Sequence, residues 1–343
     1  MTDDQGIIEH AYLARPRLDA NYCTDDAGRL LALVTRLGED PHSRRLALAA
    51  VDFLERAHRG AATFLLRHDA SGLWSDERSD DATGRALLGL ATAAALAPWT
   101  DVRHRSLELF DRAVTFRTGH VRAAAYAALG AATLLREIPG HEGARTLLED
   151  APSFVVANVD DSWPWPEARL SYANALLPHA ALERATARAD ARGADDALAV
   201  LEWLVDRETR GEHFSFTPVA GRGRDDARSQ FDQQPIEAWA MTEACACAYR
   251  YSSDPKWLHR ARRAGSWFLG GNDVGVLVFD PATGGGYDGL EPDGVNLNQG
   301  AESTLAFVAT MRELWELEHS SRARDARGAD HAPYATSRRA SSK

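Results

Sequence analysis

The chain has 343 residues, of which 45% are hydrophobic and 26% are charged, and its formal net charge is −11 at pH 7. This composition is typical of a soluble globular protein, and the scattering of Arg among Asp and Glu excludes the basic stripe that a nucleic-acid surface needs. No run of about 18 apolar residues is present, so the sequence predicts no membrane span and no membrane partner.

The first twenty residues and the cysteines indicate a cellular compartment. The amino terminus lacks the basic segment followed by an apolar segment that marks a secretory signal. Cys23, Cys245 and Cys247 are odd in number and lack the spacing of metal ligands, so we interpret them as small core residues in a reducing compartment. We therefore expect a cytoplasmic protein.

A unit made of a polar loop followed by an apolar helix recurs along the chain. Its clearest copies begin at Phe64, Trp203 and Trp267, and the helices of the whole set are predicted to start near residues 25, 82, 120, 167, 235 and 300. These helices are rich in Ala, Leu and Gly around much of their circumference, as is typical of helices buried on several sides. The segments between them, such as "SRRLALAAVDFLERAHR", have apolar residues at helical spacing on one face only.

Six buried helices that alternate with amphipathic ones predict an all-α fold, an (α/α)6 toroid with an inner and an outer ring. An open helical solenoid gives a similar periodicity, so ring closure is an inference at this point. We predict a single toroid domain over residues 8–319, with a disordered amino terminus at 1–7. The segment 320–343 loses apolar periodicity and is predicted to be a disordered tail.

The inner helices of such a toroid run parallel, so their N-termini open on one face, which we call the mouth. The long loops precede these helices and crowd the same face, where helix N-termini stabilise carboxylates. Acidic, amide and aromatic residues are concentrated in these loops, which is the set of groups that a sugar site requires. The candidate substrate-binding residues are Asp26, Arg29, Trp74, Asp81, Arg85, Trp163, Trp165, Glu167, Gln233, Gln234, Glu237, Tyr287, Asp288, Asn298 and Gln299.

Several of these motifs also have a purely structural interpretation. In "TDDAGR" and "SDDATGR", the Asp residues are ordinary helix caps, and the Arg one turn later pairs with them. In "NQGAES", Gln299 and Glu302 fit a capping box, although this leaves the Gly-rich loop before them without a purpose. "DDSWPWPEARLSYAN" is different, because two Trp and two Pro make a rigid aromatic wedge that favours stacking on a ligand.

The sequence lacks the common motifs for binding dinucleotides and phosphates, for a catalytic serine and for metal ions. There is no GxGxxG after a strand, no P-loop and no GxSxG elbow. The twelve His residues are scattered without paired ligand spacing, and we interpret His120 and His179 as core residues. The sequence therefore implies no metal and no organic cofactor.

Four long motifs, "NYCTDDAGRLL", "DDSWPWPEARLSYANALLPHAAL", "FDQQPIEAWAM" and "GGYDGLEPDGVNLNQGAESTLAF", resemble a bacterial α/α-toroid family related to the six-hairpin glycosidases. The resemblance covers about residues 8–318. Members are often classed as glycosyltransferases because the domain also occurs fused behind a Rossmann-type sugar transferase. This chain has no nucleotide-sugar domain, so the resemblance implies hydrolysis, phosphorolysis or lyase chemistry at the loop-rich end.

If the protein is a hydrolase that acts on oligosaccharides, we expect its catalytic pair to come from Asp161, Asp232 and Glu302. Asp232 and Glu302 open neighbouring inner helices, whose axes should lie about 8–10 Å apart. Carboxyl groups separated by roughly 6.5–9.5 Å suit an inverting mechanism. Trp163, Trp165, Trp74 and Tyr287 would then form the sugar platform.

Two alternatives stay open. The first alternative is a noncatalytic glycan-binding module that works beside a separately encoded glycosyltransferase. The second alternative is a sugar epimerase or isomerase. Enzymes of the second kind usually rely on His as acid and base, and the mouth motifs are poor in His, so we rank this alternative third.

Overall fold

The computed structural model describes residues 1–60, 62–155, 162–227 and 230–329, with side chains as far as residue 320. Asp161 and residues 330–343 of the predicted tail lie outside this part of the chain.

Eleven helices make up most of the described chain, and they form two concentric rings. The inner helices are α1 (Thr24–Val34), α3 (Asp80–Leu96), α5 (Val121–Glu137), α7 (Leu176–Ala187), α9 (Pro235–Ser252) and α11 (Ala301–Ala329). The outer helices are α2 (Pro41–Ala57), α4 (Thr100–Ala113), α6 (Glu142–Glu149), α8 (Ala191–Glu208) and α10 (Pro255–Ser266). None of the described helices is long and apolar enough to cross a membrane.

The inner helices form a closed ring. Each one contacts the next, and α11 contacts α1 to complete the circle. Each outer helix packs against the inner helix that precedes it in the chain. The prediction of an α/α toroid is therefore confirmed, and the open solenoid is excluded for this chain.

Small residues allow the inner helices to approach each other closely. A Cβ atom added at Gly28 of α1 would lie 2.5 Å from the carbonyl oxygen of Arg85, and one added at Gly84 of α3 would lie 2.3 Å from that of Ala123. Backbones in such contact leave no space for a larger side chain. The Ala- and Gly-rich sequence of these helices thus determines the tight packing of α1, α3 and α5.

The outer helices bury a single apolar face, as their sequence pattern predicts. In α2, Ala47, Val51 and Leu54 are buried, and the side chain of Asp40 caps the helix by accepting hydrogen bonds from the backbone of His42 and Ser43. Such a cap satisfies N–H groups that have no partner within the helix.

The strands are short antiparallel pairs within the loops. Three are hairpins, β1–β2 (Ala11–Tyr12 with Arg15–Pro16), β6–β7 (Thr209–Arg210 with His213–Phe214) and β9–β10 (Gly289–Glu291 with Gly294–Asn296). Two connect distant loops, β3 (Tyr22–Cys23) with β4 (Arg67–His68), and β5 (Arg169–Leu170) with β8 (Arg222–Gly223). These pairings tie the mouth loops to one another.

The predicted start of the fourth inner helix, near residue 167, is wrong. Helix α7 begins at Leu176, because the preceding residues are committed to other contacts. Arg169 and Leu170 pair with β8, and the side chain of Asn174 accepts a hydrogen bond from the backbone of Ser171. Local helix propensity is therefore overridden by tertiary contacts.

Both ends of the domain differ from the predicted limits. The amino-terminal residues, predicted to be disordered, are held in place: Ile7 is buried, and the carboxylate of Asp3 accepts a hydrogen bond from the hydroxyl of Tyr22. At the other end, α11 continues past residue 319 to Ala329.

We predict that Gly84→Ala destabilises the protein by about 1–3 kcal/mol, because the new methyl group would overlap the backbone of α5. This cost outweighs the gain of up to about 1 kcal/mol that Ala brings to a helix interior. Urea unfolding of the purified variant measures the change. Gly140→Ala is the control, because a Cβ atom added there would have no heavy atom within 4 Å, and equal stability of Gly84→Ala and wild type would contradict the prediction.

Candidate functional site

The N-termini of the six inner helices converge on the mouth, together with the loops that precede them. Each outer helix returns the chain, so all six inner helices point the same way. Their free N–H groups and partial positive charges favour acidic side chains at this face.

Arg29 of α1 joins the first and the last inner helix. Its Nη1 donates to Asp26 Oδ1 at 2.6 Å, and its Nη2 donates to the carboxylate of Glu302 on α11. Asp26 is only 2% exposed, whereas the Glu302 side chain is 35% exposed. The guanidinium therefore holds a buried and a solvent-accessible carboxylate on its two sides.

Arg85 of α3 makes the next connection. Its Nη1 lies 3.0 Å from Asp25 Oδ1 and 3.0 Å from Asp81 Oδ2, and its Nη2 donates to the hydroxyl of Tyr126 at 3.2 Å. The guanidinium also lies over the Tyr126 ring, 4.6 Å from its centroid. Arg85 thereby links α1, α3 and α5.

Arg122 of α5 extends the network to the loop before α7. Its Nη1 donates to Glu167 Oε1 at 2.6 Å, and its Nη2 donates to Asn174 Oδ1 at 3.2 Å. The hydroxyl of Tyr172, in the same loop, donates back to Asp81 at 2.8 Å. We call the three arginines and their acidic partners, Asp25, Asp26, Asp81, Glu167 and Glu302, the ion-pair network.

Glu237 of α9 joins this layer through contacts with the loop before α7. Its carboxyl oxygens accept from the N–H of Ala173 at 2.5 Å and from the N–H of Asn174 at 3.1 Å. Burial raises the pKa of Glu237 to about 8, and the nearby Glu208 carboxylate adds to this increase. All six inner positions of the toroid thus contribute to one connected polar layer.

Adjacent carboxyl groups in this layer differ in proton affinity. Burial raises the pKa of Asp26 to about 7, with Glu302 and Asp25 adding to the effect and Arg29 opposing it. Burial alone would also raise the pKa of Asp25, but the charges of Arg85 and Arg29 bring it below its usual value. Neighbouring carboxyls whose pKa values are separated by their surroundings can hold and release protons in turn.

An open cleft of about 750 Å³ lies at the mouth between α3, α5 and the loop before α7. Its wall includes Asp81, His120, Arg122, Glu167 and Tyr172. The interpretation of His120 as a core residue is wrong, because its side chain is 81% exposed just before α5, at the rim of the mouth. Its Nε2 lies 3.9 Å from the carboxylate of Asp80.

The structure brings six predicted site residues together in the ion-pair network: Asp26, Arg29, Asp81, Arg85, Glu167 and Glu302. The structural interpretation of the two Asp-Asp motifs holds for the pairing, because Asp26 pairs with Arg29 and Asp81 with Arg85. The capping-box interpretation of Glu302 is not seen, since its carboxylate pairs with Arg29 instead.

Four predicted binding residues hold loops in place. Gln233 is fully buried and accepts from the indole N–H of Trp267 at 3.0 Å. Gln299 is bonded to Asp280 and Thr283 within the Gly-rich loop. The remaining two are Asp288, which caps α11 by accepting from Gly300, and Asn298, which accepts from Leu13.

The tryptophans predicted as a sugar platform do not lie open at the mouth. Trp163 and Trp165 are buried against Trp203 of α8, with ring centroids 5.4 Å and 6.0 Å away. Trp74 is half-buried and packs on Phe53 of α2, at 5.2 Å. Packing onto outer helices satisfies the buried rings of Trp163 and Trp165, which leaves them little surface for a sugar, and the platform role of Trp74 stays a prediction.

The remaining predicted residues have the fewest contacts that would fix their side chains. Asp232 is exposed, and its side chain has no hydrogen bond to the described residues. Gln234 and Tyr287 are half-buried, Gln234 immediately before α9 and Tyr287 within the Gly-rich loop. Asp161, the third catalytic candidate, lies outside the described residues.

Sequence reasoning missed Arg122 and Tyr126. Both are buried in α5 within a segment that otherwise consists of small and apolar residues, "VRAAAYAALGAA". A buried charge needs a partner, so an Arg in the first turn of an apolar inner helix was the available signal. Within the described chain, the one His/Cys/acid cluster with metal-ligand spacing is His179, Glu183 and Cys247, which lies away from the mouth.

Comparisons with known proteins support the fold. No protein-family model and no curated protein matches the chain. Among solved structures, it is similar to the cellobiose 2-epimerase of Bacillus thermoamylovorans, with a TM-score of 0.68 and 12% identity over 93% of this chain and 94% of that chain. It is also similar to a D-mannose isomerase (TM-score 0.64, 9% identity, 92% and 93% covered) and to an α-mannanase of Bacteroides thetaiotaomicron (TM-score 0.60, 12% identity, 88% of each chain).

These similarities confirm the α/α-toroid part of the resemblance found in the sequence motifs. At such low identity they establish the fold alone. The occurrence of the domain in fused glycosyltransferases stays a prediction.

We predict that Glu237 makes stability fall with rising pH. Folded Glu237 keeps a proton that an unfolded Glu, with a pKa of 4.5, releases. Its contribution is therefore fully present below pH 4.5 and is lost as the pH rises to about 8, with a slope of at most about 1.4 kcal/mol per pH unit.

Urea unfolding from pH 5 to pH 8.5 measures the free energy of unfolding of wild type and Glu237→Gln. The difference between the two isolates the contribution of Glu237 to stability. We expect the wild type to lose stability relative to the variant as the pH rises. A difference that stays constant over this range would contradict the raised pKa.

Proposed function

We propose that this protein is a carbohydrate-active enzyme that binds an oligosaccharide at the mouth and hydrolyses a glycosidic bond with Asp232 and Glu302. The observation that carries the proposal is the polar layer at the helix N-termini, in which Glu302 remains partly open to solvent, while Asp232 is exposed just before the neighbouring inner helix α9. Asp161 stays a third candidate for the pair.

The chemistry of the cleft suits a neutral, hydroxyl-rich ligand, although neither Asp232 nor Glu302 belongs to its wall. The Asp81 and Glu167 carboxylates and the Tyr172 hydroxyl oxygen can accept from sugar hydroxyls, and the Arg122 guanidinium can donate to them. These groups are already fixed by their mutual bonds. A site whose donors and acceptors are held in advance loses little entropy when it binds a ligand.

Glycoside hydrolysis needs one carboxylic acid that protonates the leaving oxygen and one carboxylate that activates water or attacks the sugar. We assign the carboxylate role to Glu302, because Arg29 fixes its position and balances its charge. Asp232, which precedes the neighbouring inner helix, has an exposed side chain without a hydrogen bond to the described residues, and we assign it the role of protonating the glycosidic oxygen. The water would attack from the Glu302 side.

The similar structures support the substrate class. Their names are those of a cellobiose epimerase, a mannose isomerase and an α-mannanase, all of which act on sugars. Because a toroid carries several chemistries, the reaction type rests on the residues of this chain rather than on the fold.

We predict that wild-type protein cleaves short mannose- or glucose-based oligosaccharides and that Asp232→Asn and Glu302→Gln each lower kcat by at least about 100-fold, the effect expected of a lost acid or base. Product analysis by chromatography, with and without added phosphate, measures the rate and separates hydrolysis from phosphorolysis. Glu142→Gln is the charge-matched control, because Glu142 is 82% exposed on the outer helix α6.

Unchanged turnover in both mouth variants would refute the assignment of the pair. A sugar that raises the melting temperature of every variant without any product would instead indicate a glycan-binding module, which would act beside a separately encoded glycosyltransferase.

A second candidate function, sugar epimerisation or isomerisation, is favoured by His120. This exposed imidazole lies on the wall of the cleft beside Asp80, and imidazole is the side chain best suited to move protons near neutral pH. Such a reaction removes a proton from the carbon next to the sugar carbonyl and returns it to the other face or to the neighbouring carbon.

If this second function is the correct one, we predict that His120→Gln abolishes the conversion of mannose to fructose, or of cellobiose to its 2-epimer. Glu302→Gln should still bind the sugar. Proton NMR of the sugar in D2O detects the conversion and the incorporation of solvent deuterium. His104→Gln is the matched control, since His104 is exposed on the outer helix α4. Absence of both sugar conversion and deuterium incorporation with the wild type would exclude this function for the sugars tested.

A further inference from the structure

A second cavity, of about 420 Å³, lies along the axis of the toroid and is separate from the mouth cleft. Its wall is formed mainly by the middle and C-terminal parts of the inner helices, with apolar side chains such as Leu88, Leu129 and Ile236. His179, Glu183 and Cys247 also line it. We call this space the axial cavity.

These three residues form a compact cluster of metal-ligand types. His179 and Glu183 lie one turn apart on the same face of α7, and Cys247 faces them from α9. One potential ligand atom from each residue lies within 4.8 Å of the other two. The Cys247 thiol donates to Glu183 Oε1 at a sulfur–oxygen distance of 3.5 Å.

The sulfur–oxygen distance fits a tetrahedral zinc site. Bonds of about 2.3 Å to sulfur and about 2.1 Å to oxygen, at a tetrahedral angle, place these two atoms about 3.6 Å apart. The imidazole has to approach by about 1 Å, which a side-chain rotation can supply. The backbone of α7 and α9 thus already has the spacing that the ion requires.

The partners of the cluster leave its ligand atoms available. Neither ring nitrogen of His179 has a hydrogen bond to the part of the chain that the structure describes, although the ring lines the cavity. Arg136 binds Glu183 Oε2 at 2.5 Å, so this carboxylate is oriented with Oε1 toward Cys247. Metal-binding carboxylates are commonly oriented by such outer partners.

We propose that His179, Glu183 and Cys247 bind one Zn²⁺ ion in the wall of the axial cavity, with the fourth position open to a water molecule or a small ligand. The thiol proton that Cys247 now shares with Glu183 passes to solvent when the sulfur binds the ion. A thiolate and an imidazole favour zinc over magnesium or calcium, which prefer oxygen ligands.

The charges of the site agree with this assignment. A thiolate and a carboxylate balance the two charges of the ion, and the Arg136 guanidinium paired with Glu183 leaves one positive charge beside the site. The site is independent of the proposed sugar chemistry, because no member of the catalytic pair belongs to it.

Titration of chelator-treated, full-length protein with Co²⁺, a spectroscopic substitute for Zn²⁺, tests the proposal. We expect one equivalent to bind with a thiolate-to-cobalt charge-transfer band in the near ultraviolet and visible bands of tetrahedral geometry. Addition of Zn²⁺ should remove both. Cys247→Ser should abolish the charge-transfer band, and His179→Gln should weaken Co²⁺ binding at least tenfold.

Cys245→Ser is the matched control, because Cys245 is a buried thiol on the same helix that faces Arg260 of α10 instead of the cavity. It should bind Co²⁺ as the wild type does. Circular dichroism verifies that each variant is folded, and Glu183→Gln provides a third test if Cys247→Ser does not fold. No thiolate band in the wild type, or a band that persists in folded Cys247→Ser or disappears in folded Cys245→Ser, would overturn the site.

Discussion

The pairing of buried charges at the inner-helix N-termini is the constraint on which the rest of the structure depends. Six parallel helices present partial positive charge to one face, which attracts carboxylates, yet carboxylates gathered in a small volume repel one another. Arg29, Arg85 and Arg122 lie between them and resolve this conflict. Because an unpaired buried charge costs several kcal/mol, each arginine must reach its acidic partners for the toroid to form.

This constraint links ring closure to the candidate site. Glu302 on the last inner helix meets Arg29 on the first, so the contact that closes the toroid also positions a carboxylate at the mouth. The loop before α7 is fixed in the same way, through Arg122 and Glu237. Residues that stabilise the fold and several of the predicted site residues therefore belong to one network, and a substitution at one of them is expected to affect stability.

Most of the fold could be predicted from the sequence, but the roles of single side chains could not. Ala- and Gly-rich helices that alternate with amphipathic ones indicate two rings, because the pattern reports burial directly. The pattern does not indicate the direction in which a side chain points. Trp163 and Trp165 were correctly predicted to form an aromatic segment, but their rings pack against Trp203 instead of facing the mouth. The cluster of His179 and Cys247 was invisible for a related reason, since its members are on different inner helices and meet only in the folded toroid.

The ion-pair network also separates the two candidate sites. Two members of the network, Arg29 and Arg85, also line the axial cavity, as does Tyr126, which contacts Arg85. These residues lie between the mouth and the cluster on α7 and α9. A ligand at the mouth would contact the acidic side of this layer, and an ion in the axial cavity would lie behind it. Communication between the two sites would have to pass through guanidinium groups that are held on several sides, and such groups do not move without breaking their ion pairs. Arg29 and Arg85 are therefore the residues that the ion-pair network and the wall of the axial cavity have in common.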